Sequence, residues 1–92
     1  VASATNNIEA YKLFLKGRSF QLNWRLEDIN TAITYYEESV VIDPLFADAY
    51  VGIGWCYGIL ASWQYIDHKD GFAKAAFYLD KGVGLNPTSH VI

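Results

Sequence analysis

Few side chains in this 92-residue chain are of types that do chemistry, and fewer stand at a working spacing. A metal site needs several ligands brought together, and His68 and His90 have no second His or Cys at ligand spacing. Both read as solvated, His68 in a loop and His90 near the terminus. Cys56 is the only cysteine. A catalytic thiol needs a partner base and a lowered pKa, whereas Cys56 lies between Trp55 and Tyr57, which suits a buried packing thiol. Asp67 and Asp70 could act as paired carboxylates in acid–base chemistry, but the same spacing caps a helix without any cleft. Gly52, Gly54 and Gly58 lack the preceding strand and the Lys-Ser/Thr of a phosphate loop. The residues point to a chain with no catalytic site, no metal and no cofactor, so a non-enzymatic protein is expected.

Composition narrows the class further. With 52% hydrophobic and 16% aromatic residues the chain is no disordered tail, which would be poor in both. Seven basic residues, none clustered, and a net charge of -3 exclude a nucleic-acid or anionic-membrane surface. One cysteine excludes a disulfide framework. The start, Val1-Ala2-Ser3-Ala4-Thr5-Asn6-Asn7, lacks the basic and apolar regions of a signal peptide, and a cytoplasmic location is expected. Residues 49–66 form an 18-residue run without charge, including Gly54-x-x-x-Gly58. As a helix it would rise roughly 27 Å, close to a bilayer core. Ser62, Gln64, several polar-tipped aromatics and the glycines stand against a span, as does the acidic flank of Asp43 and Asp48. Burial between other helices is the expectation.

The elements that must position these residues are helices, and they repeat. Residues 32–44 laid over residues 75–87, an offset of 43, match Ala32 with Ala75, Tyr35 with Tyr78, Tyr36 with Leu79 and Val40 with Val83. Ile42-Asp43-Pro44 then meets Leu85-Asn86-Pro87. In the first copy Ile29, Ala32, Ile33, Tyr36 and Val40 form one apolar helical stripe; in the second, Phe72, Ala75, Ala76, Leu79 and Val83 do. Glu27 and Asp28 suit the positive start of the first helix, and a residue before proline avoids the α conformation, so Asp43 and Asn86 end the two. Upstream of each copy lies another helical stretch. Asn6 with Glu9 is expected to cap the first, whose apolar positions are Ile8, Tyr11, Phe14, Leu15 and Leu22. The other runs from about residue 47 to 62. Gly17 aligns with Gly54, Leu13 with Tyr50 and Phe20 with Tyr57. The glycines let the paired helix approach closely. Four helices in two antiparallel pairs are expected.

Tyr50-x-x-Ile53-Gly54-x-x-Tyr57, then Ala75-x-x-x-Leu79 and Pro87, resembles a tetratricopeptide repeat (TPR). The first unit carries Leu13, Gly17, Phe20, Ala32, Tyr36 and Pro44 at the corresponding places. Lys16 departs from the family's leucine-like residue, and Ser39 and Gly82 replace its small alanine. The separation from glycine to alanine is also longer than the family's, so the resemblance implies long loops within each repeat, around residues 24–26 and 62–69. Ala10-Tyr11-x-x-Phe14-Leu15-Lys16-Gly17-Arg18 with the Ile-Asp-Pro ending is similar to TPR regions of bacterial nucleotide cyclases, winged-helix regulators and signalling kinases. The implied architecture is an all-α solenoid of two TPR-like helix pairs: an extension over 1–7, repeats over 8–45 and 46–87, and the start of a further repeat over 88–92. Because such repeats bury their faces on neighbours, a piece of a longer regulator or a self-associating chain is expected.

The resemblance also implies a binding surface. Helix A of each repeat lines a concave groove, and the matching positions are Phe14, Arg18, Gln21, Asp48, Val51 and Trp55. A groove that grips a peptide's terminal carboxylate uses several Lys and Asn, and this one offers only Arg18 against Asp48. An apolar peptide or partner helix fits better, with Phe14, Val51 and Trp55 as anchors; the alternative is that these residues pack against a neighbouring repeat. Trp24, Trp63 and Tyr65 fall in the loops, where they either cover the core edge or form an interface. The function implied is protein–protein interaction, by partner docking or self-association; the alternative is a sensor segment of an enzyme such as a nucleotide cyclase.

Overall fold

Asn7 begins the first helix. The structure of the protein, a computed structural model, describes residues 6–85. The Asn7 side-chain oxygen accepts the backbone N–H of Ala10 at 3.0 Å, with Asn7 itself in extended backbone. That is one residue later than the cap expected at Asn6. Helix α1 then runs Ile8–Gln21, α2 Leu26–Ile42, α3 Ala47–Ser62 and α4 His68–Leu85. Arg25 precedes α2 in extended backbone and donates from Nε to Asp28 Oδ2 at 3.1 Å, closing the first turn from outside. Asp43, held extended by Pro44, ends α2 as expected. Asp67 Oδ2 accepts the N–H of Asp70 at 3.0 Å, so this pair is a helix cap. Residues 1–5 and 86–92, and with them Asn86, Pro87 and His90, lie outside the described residues.

The long loops within each pair do not form. The links are short, residues 22–25, 43–46 and 63–67, and the extra length goes into the helices instead. A helical turn satisfies its own backbone groups, whereas a loop of the same length must find other partners for them. Each link within a pair turns through one residue in left-handed backbone, Trp24 (φ 56°) in the first and Gln64 (φ 64°) in the second.

Contacts fix the pairing as antiparallel. Ser39 Oγ donates to the Ala10 carbonyl at 2.7 Å, while further along α1 Gly17 lies against Ala32 and Tyr36. In the second pair, Gly54 faces Ala75 and Leu79, Gly71 faces Ala61, and Gly82 faces Ala47 and Val51. The duplication in the sequence is repeated in these contacts. Phe20 stacks on Tyr35 at 5.6 Å and 15°, and their counterparts Tyr57 and Tyr78 stack at 5.8 Å and 15°.

The centre of the molecule is Tyr36. Its ring lies between two glycines, with the Gly17 Cβ position 2.8 Å away and the Gly52 Cβ position 2.6 Å away. Any side chain at either site would drive α1 or α3 off the ring. This is how α3 seats on the first pair, and it leaves α3 packed by α1, α2 and α4. The helical part of the uncharged run thus packs between helices, with Trp55 and residues 62–65 exposed, and no helix among the described residues is long and apolar enough to cross a membrane. Among the described helices α4 packs on α3 alone.

Two apolar stripes lie elsewhere than expected. On α1 the buried residues are Ala10, Phe14 and Gly17, and Ile8, Leu15 and Leu22 are exposed. On α4 they are Gly71, Ala75 and Gly82, with Phe72 and Ala76 exposed and Leu79 and Val83 half-buried. Close helix approach selects the small residues for the contact, so the larger apolar ones rotate to the flank.

Candidate functional site

The site is built on α1 and α3, with the first link folded beside them. A hollow of about 240 Å³ opens between these elements. Tyr36 and Gly52 form its floor, Phe14, Arg18 and Gln21 its α1 wall, and Trp24 and Trp55 its rim. Phe14 is itself buried, its ring 5.7 Å from Tyr36 and 5.1 Å from Phe46. The Tyr36 hydroxyl donates to Gln21 Oε1 at 2.6 Å, which orients the amide at the edge of the hollow. Burial, with Cys56 as a smaller influence, raises the Tyr36 pKa well above the ordinary phenol value, and nearby Arg18 partly offsets this. The phenol is therefore a permanent donor at neutral pH. Among the described residues lining the hollow, Arg18 is the one cation.

Four of the six groove positions meet here: Phe14, Arg18, Gln21 and Trp55. Asp48 and Val51 do not line the hollow. Asp48 is half-buried in the first turn of α3. Val51 is fully buried against α4, where its Cγ2 stands 2.5 Å from the Gly82 Cβ position, so it cannot act as an anchor.

The aromatic residues of the links complete the surface. A second hollow of about 350 Å³ lies between α3 and α4, lined by Gly54, Gly58, Trp63, Phe72 and Leu79. It shares Trp24, Trp55 and Ile59 with the first. Trp24 packs on Trp63 at 6.3 Å and Trp63 on Tyr65 at 6.2 Å, beside a shallow depression that includes Arg25 and Leu26. All three tryptophans of the chain gather on one surface and stay open to solvent: Trp24 is 58% exposed, Trp55 49% and Trp63 38%, with Tyr65 at 57%. They do not close over the core.

Most of the described residues of the repeat pattern sit at helix contacts. Gly17, Ala32, Tyr36, Ile53, Gly54 and Ala75 are buried at helix contacts, and Leu13, Phe20, Tyr57 and Leu79 are half-buried beside them. The buried Tyr50 reaches back, its hydroxyl donating to the Pro44 carbonyl at 2.9 Å. Gly52, Leu22 and Ile59 line the first hollow and were not singled out from sequence as lining residues. Leu22 and Ile59 stand in the same relation as Gly17 and Gly54, and that offset is the signal that identifies them.

The reactive side chains occupy structural positions. Cys56 is fully buried, and burial pushes its thiol up to about 12. The His68 ring packs edge-on to Phe72 at 4.6 Å. Among the described residues no group of three or more His, Cys, Asp or Glu is placed to hold a metal. Comparison with protein families, with curated proteins and with solved structures finds no match for the chain.

Proposed function

We infer that the chain is a non-catalytic protein-interaction module of TPR-like helix pairs, taking an apolar segment of a protein partner into the hollow between α1 and α3. The observation that carries this reading is the exposure of Trp24, Trp55 and Trp63 together on one face. Tryptophans left open at the rim of a hollow are the side chains that interfaces use as anchors. The repeated stacks of Phe20 on Tyr35 and Tyr57 on Tyr78 support the repeat reading, as does the matching approach of Gly17 to Ala32 and Gly54 to Ala75. Arg18 and the Gln21 amide add a polar edge that suits an acidic or carbonyl group next to the apolar side chain. A cytoplasmic signalling protein remains the setting this reading implies.

Selection of random dodecapeptides on the immobilised chain tests it. The expected peptides carry an aromatic or large aliphatic residue, and Trp55→Ala weakens them at least about tenfold while leaving helicity unchanged, the loss typical of an anchor. Selected peptides that bind folded Trp55→Ala as tightly as the parent would refute the assignment.

A further inference from the structure

The internal duplication also says what fits the open side of α4. Inside the chain, α2 packs against α3, with Gly52 on the ring of Tyr36, a residue of the α2 stripe Ile29, Ile33, Tyr36 and Val40. The offset of 43 residues carries that stripe onto Phe72, Ala76, Leu79 and Val83 of α4. These residues are also apolar; Leu79 meets Gly54 of α3, and no second described helix packs on α4 to cover the rest. At the other end of the molecule, the offset that joins Gly17 to Gly54 carries Gly52 onto Leu15 and Ile59 onto Leu22. Leu15 and Leu22 are exposed, 44% and 62%, and with Ile8 they form a stripe of seven-residue spacing along α1 and its C-cap. One chain thus presents both a receiving face and the face that would be received.

We propose that copies of this chain associate head to tail, α1 of one copy seating in the α3–α4 cleft of the next as α3 seats on α2. The side chains compensate across the contact: where the internal pair is Tyr36 on Gly52, the pair between copies is Leu79 on Leu15. The contact is heterologous, so it leaves one receiving face and one donor face free at the ends and does not close into a symmetric dimer. Lys12 and Lys16 stand where α3 carries the buried Ala49 and Ile53, and lysines at such positions keep the contact weaker than the internal one. Association is therefore reversible and driven by concentration. This surface goes beyond the proposed docking hollow: the two share Leu22, but neither Leu15 nor Ala76 lines that hollow.

Sedimentation velocity of the 92-residue chain from about 10 µM to about 1 mM, the range that reports a contact of this weakness, tests the proposal. The parent is expected to grow past the dimer. Leu15→Glu and Ala76→Glu, both at exposed positions and checked for helicity by circular dichroism, are each expected to stay monomeric. An equimolar mixture of the two is expected to give dimers and nothing larger, since only one pairing of intact faces survives. A parent that remains monomeric at the highest concentration overturns the proposal. So does a closed dimer that the mixture fails to restore. If either variant loses helicity, Phe72→Ser for the receiving face or Ile8→Glu for the donor face replaces it, with the same outcomes required.

Discussion

Gly54 of α3 approaches the Ala75 carbonyl of α4 so closely that a Cβ on the glycine would stand 3.0 Å from that oxygen. Gly17 and Ala32 hold the same relationship at 3.2 Å in the first pair. The obstacle is main chain, which cannot swing aside as a side-chain tip can. Gly54→Ala is therefore expected to lower the unfolding free energy by about 1–3 kcal/mol, overpacking exceeding the gain in helix propensity. Gly84 has nothing within 4 Å of its Cβ position, so Gly84→Ala is expected to stabilise by about 0.5–1 kcal/mol. Urea unfolding of both variants measures the contrast, and equal effects at the two sites would refute it.

Ser39 occupies a position between α1 and α2 where a small residue is required, and it adds a buried bond to the Ala10 carbonyl. Ser39→Ala keeps the shape and removes the bond, for an expected loss of about 1 kcal/mol. The carbonyl has a second lone pair for its helical partner, so a loss above about 3 kcal/mol would show that the bond does more than join the helices.

Alkaline pH should unfold the protein through Tyr36 and Cys56. Both acids are buried and hold their protons above their ordinary values of 10.0 and 9.0. The unfolded chain therefore loses these protons first, and the folded state binds more protons than the unfolded one. Stability is fully present below about pH 9 and falls as pH rises, the Cys56 part being lost up to about 12. The slope is roughly one kcal/mol per pH unit for each group. Cys56→Ala is expected to flatten the curve between pH 9 and 10, where the thiol acts before the phenol. Chemical denaturation at a series of pH values reads this directly.

Trp24 combines two properties that pull in opposite directions. Its left-handed backbone is unfavourable for a side chain of that size, by about 1–2 kcal/mol, yet it borders both hollows and the shallow depression. Trp24→Gly is expected to leave stability unchanged or higher while weakening the peptides selected on the parent at least about tenfold. Gln64→Gly relieves the same backbone strain in the second link without removing an anchor, and binding should be retained.

The helices, their order and their duplication are legible in the order of residues alone. Asp43-Pro44 ended α2 because proline constrains the residue before it, and apolar spacing identified a helix wherever one formed. Close neighbours in the chain decide such features, so they are legible without a fold. The cap at Asn7 in place of Asn6 shows the limit, since both are capable residues and only the register of α1 chooses between them. Which face each helix turns inward is settled by packing between helices. Small residues at Gly17, Gly52, Gly54 and Gly82 bring the backbones together, and that approach buried Val51 and left Leu15 and Phe72 outside. It also placed Trp24 against Trp63, residues 39 positions apart whose meeting depends on how the two pairs stack. A side chain's type is a local property, whereas its burial depends on what packs over it.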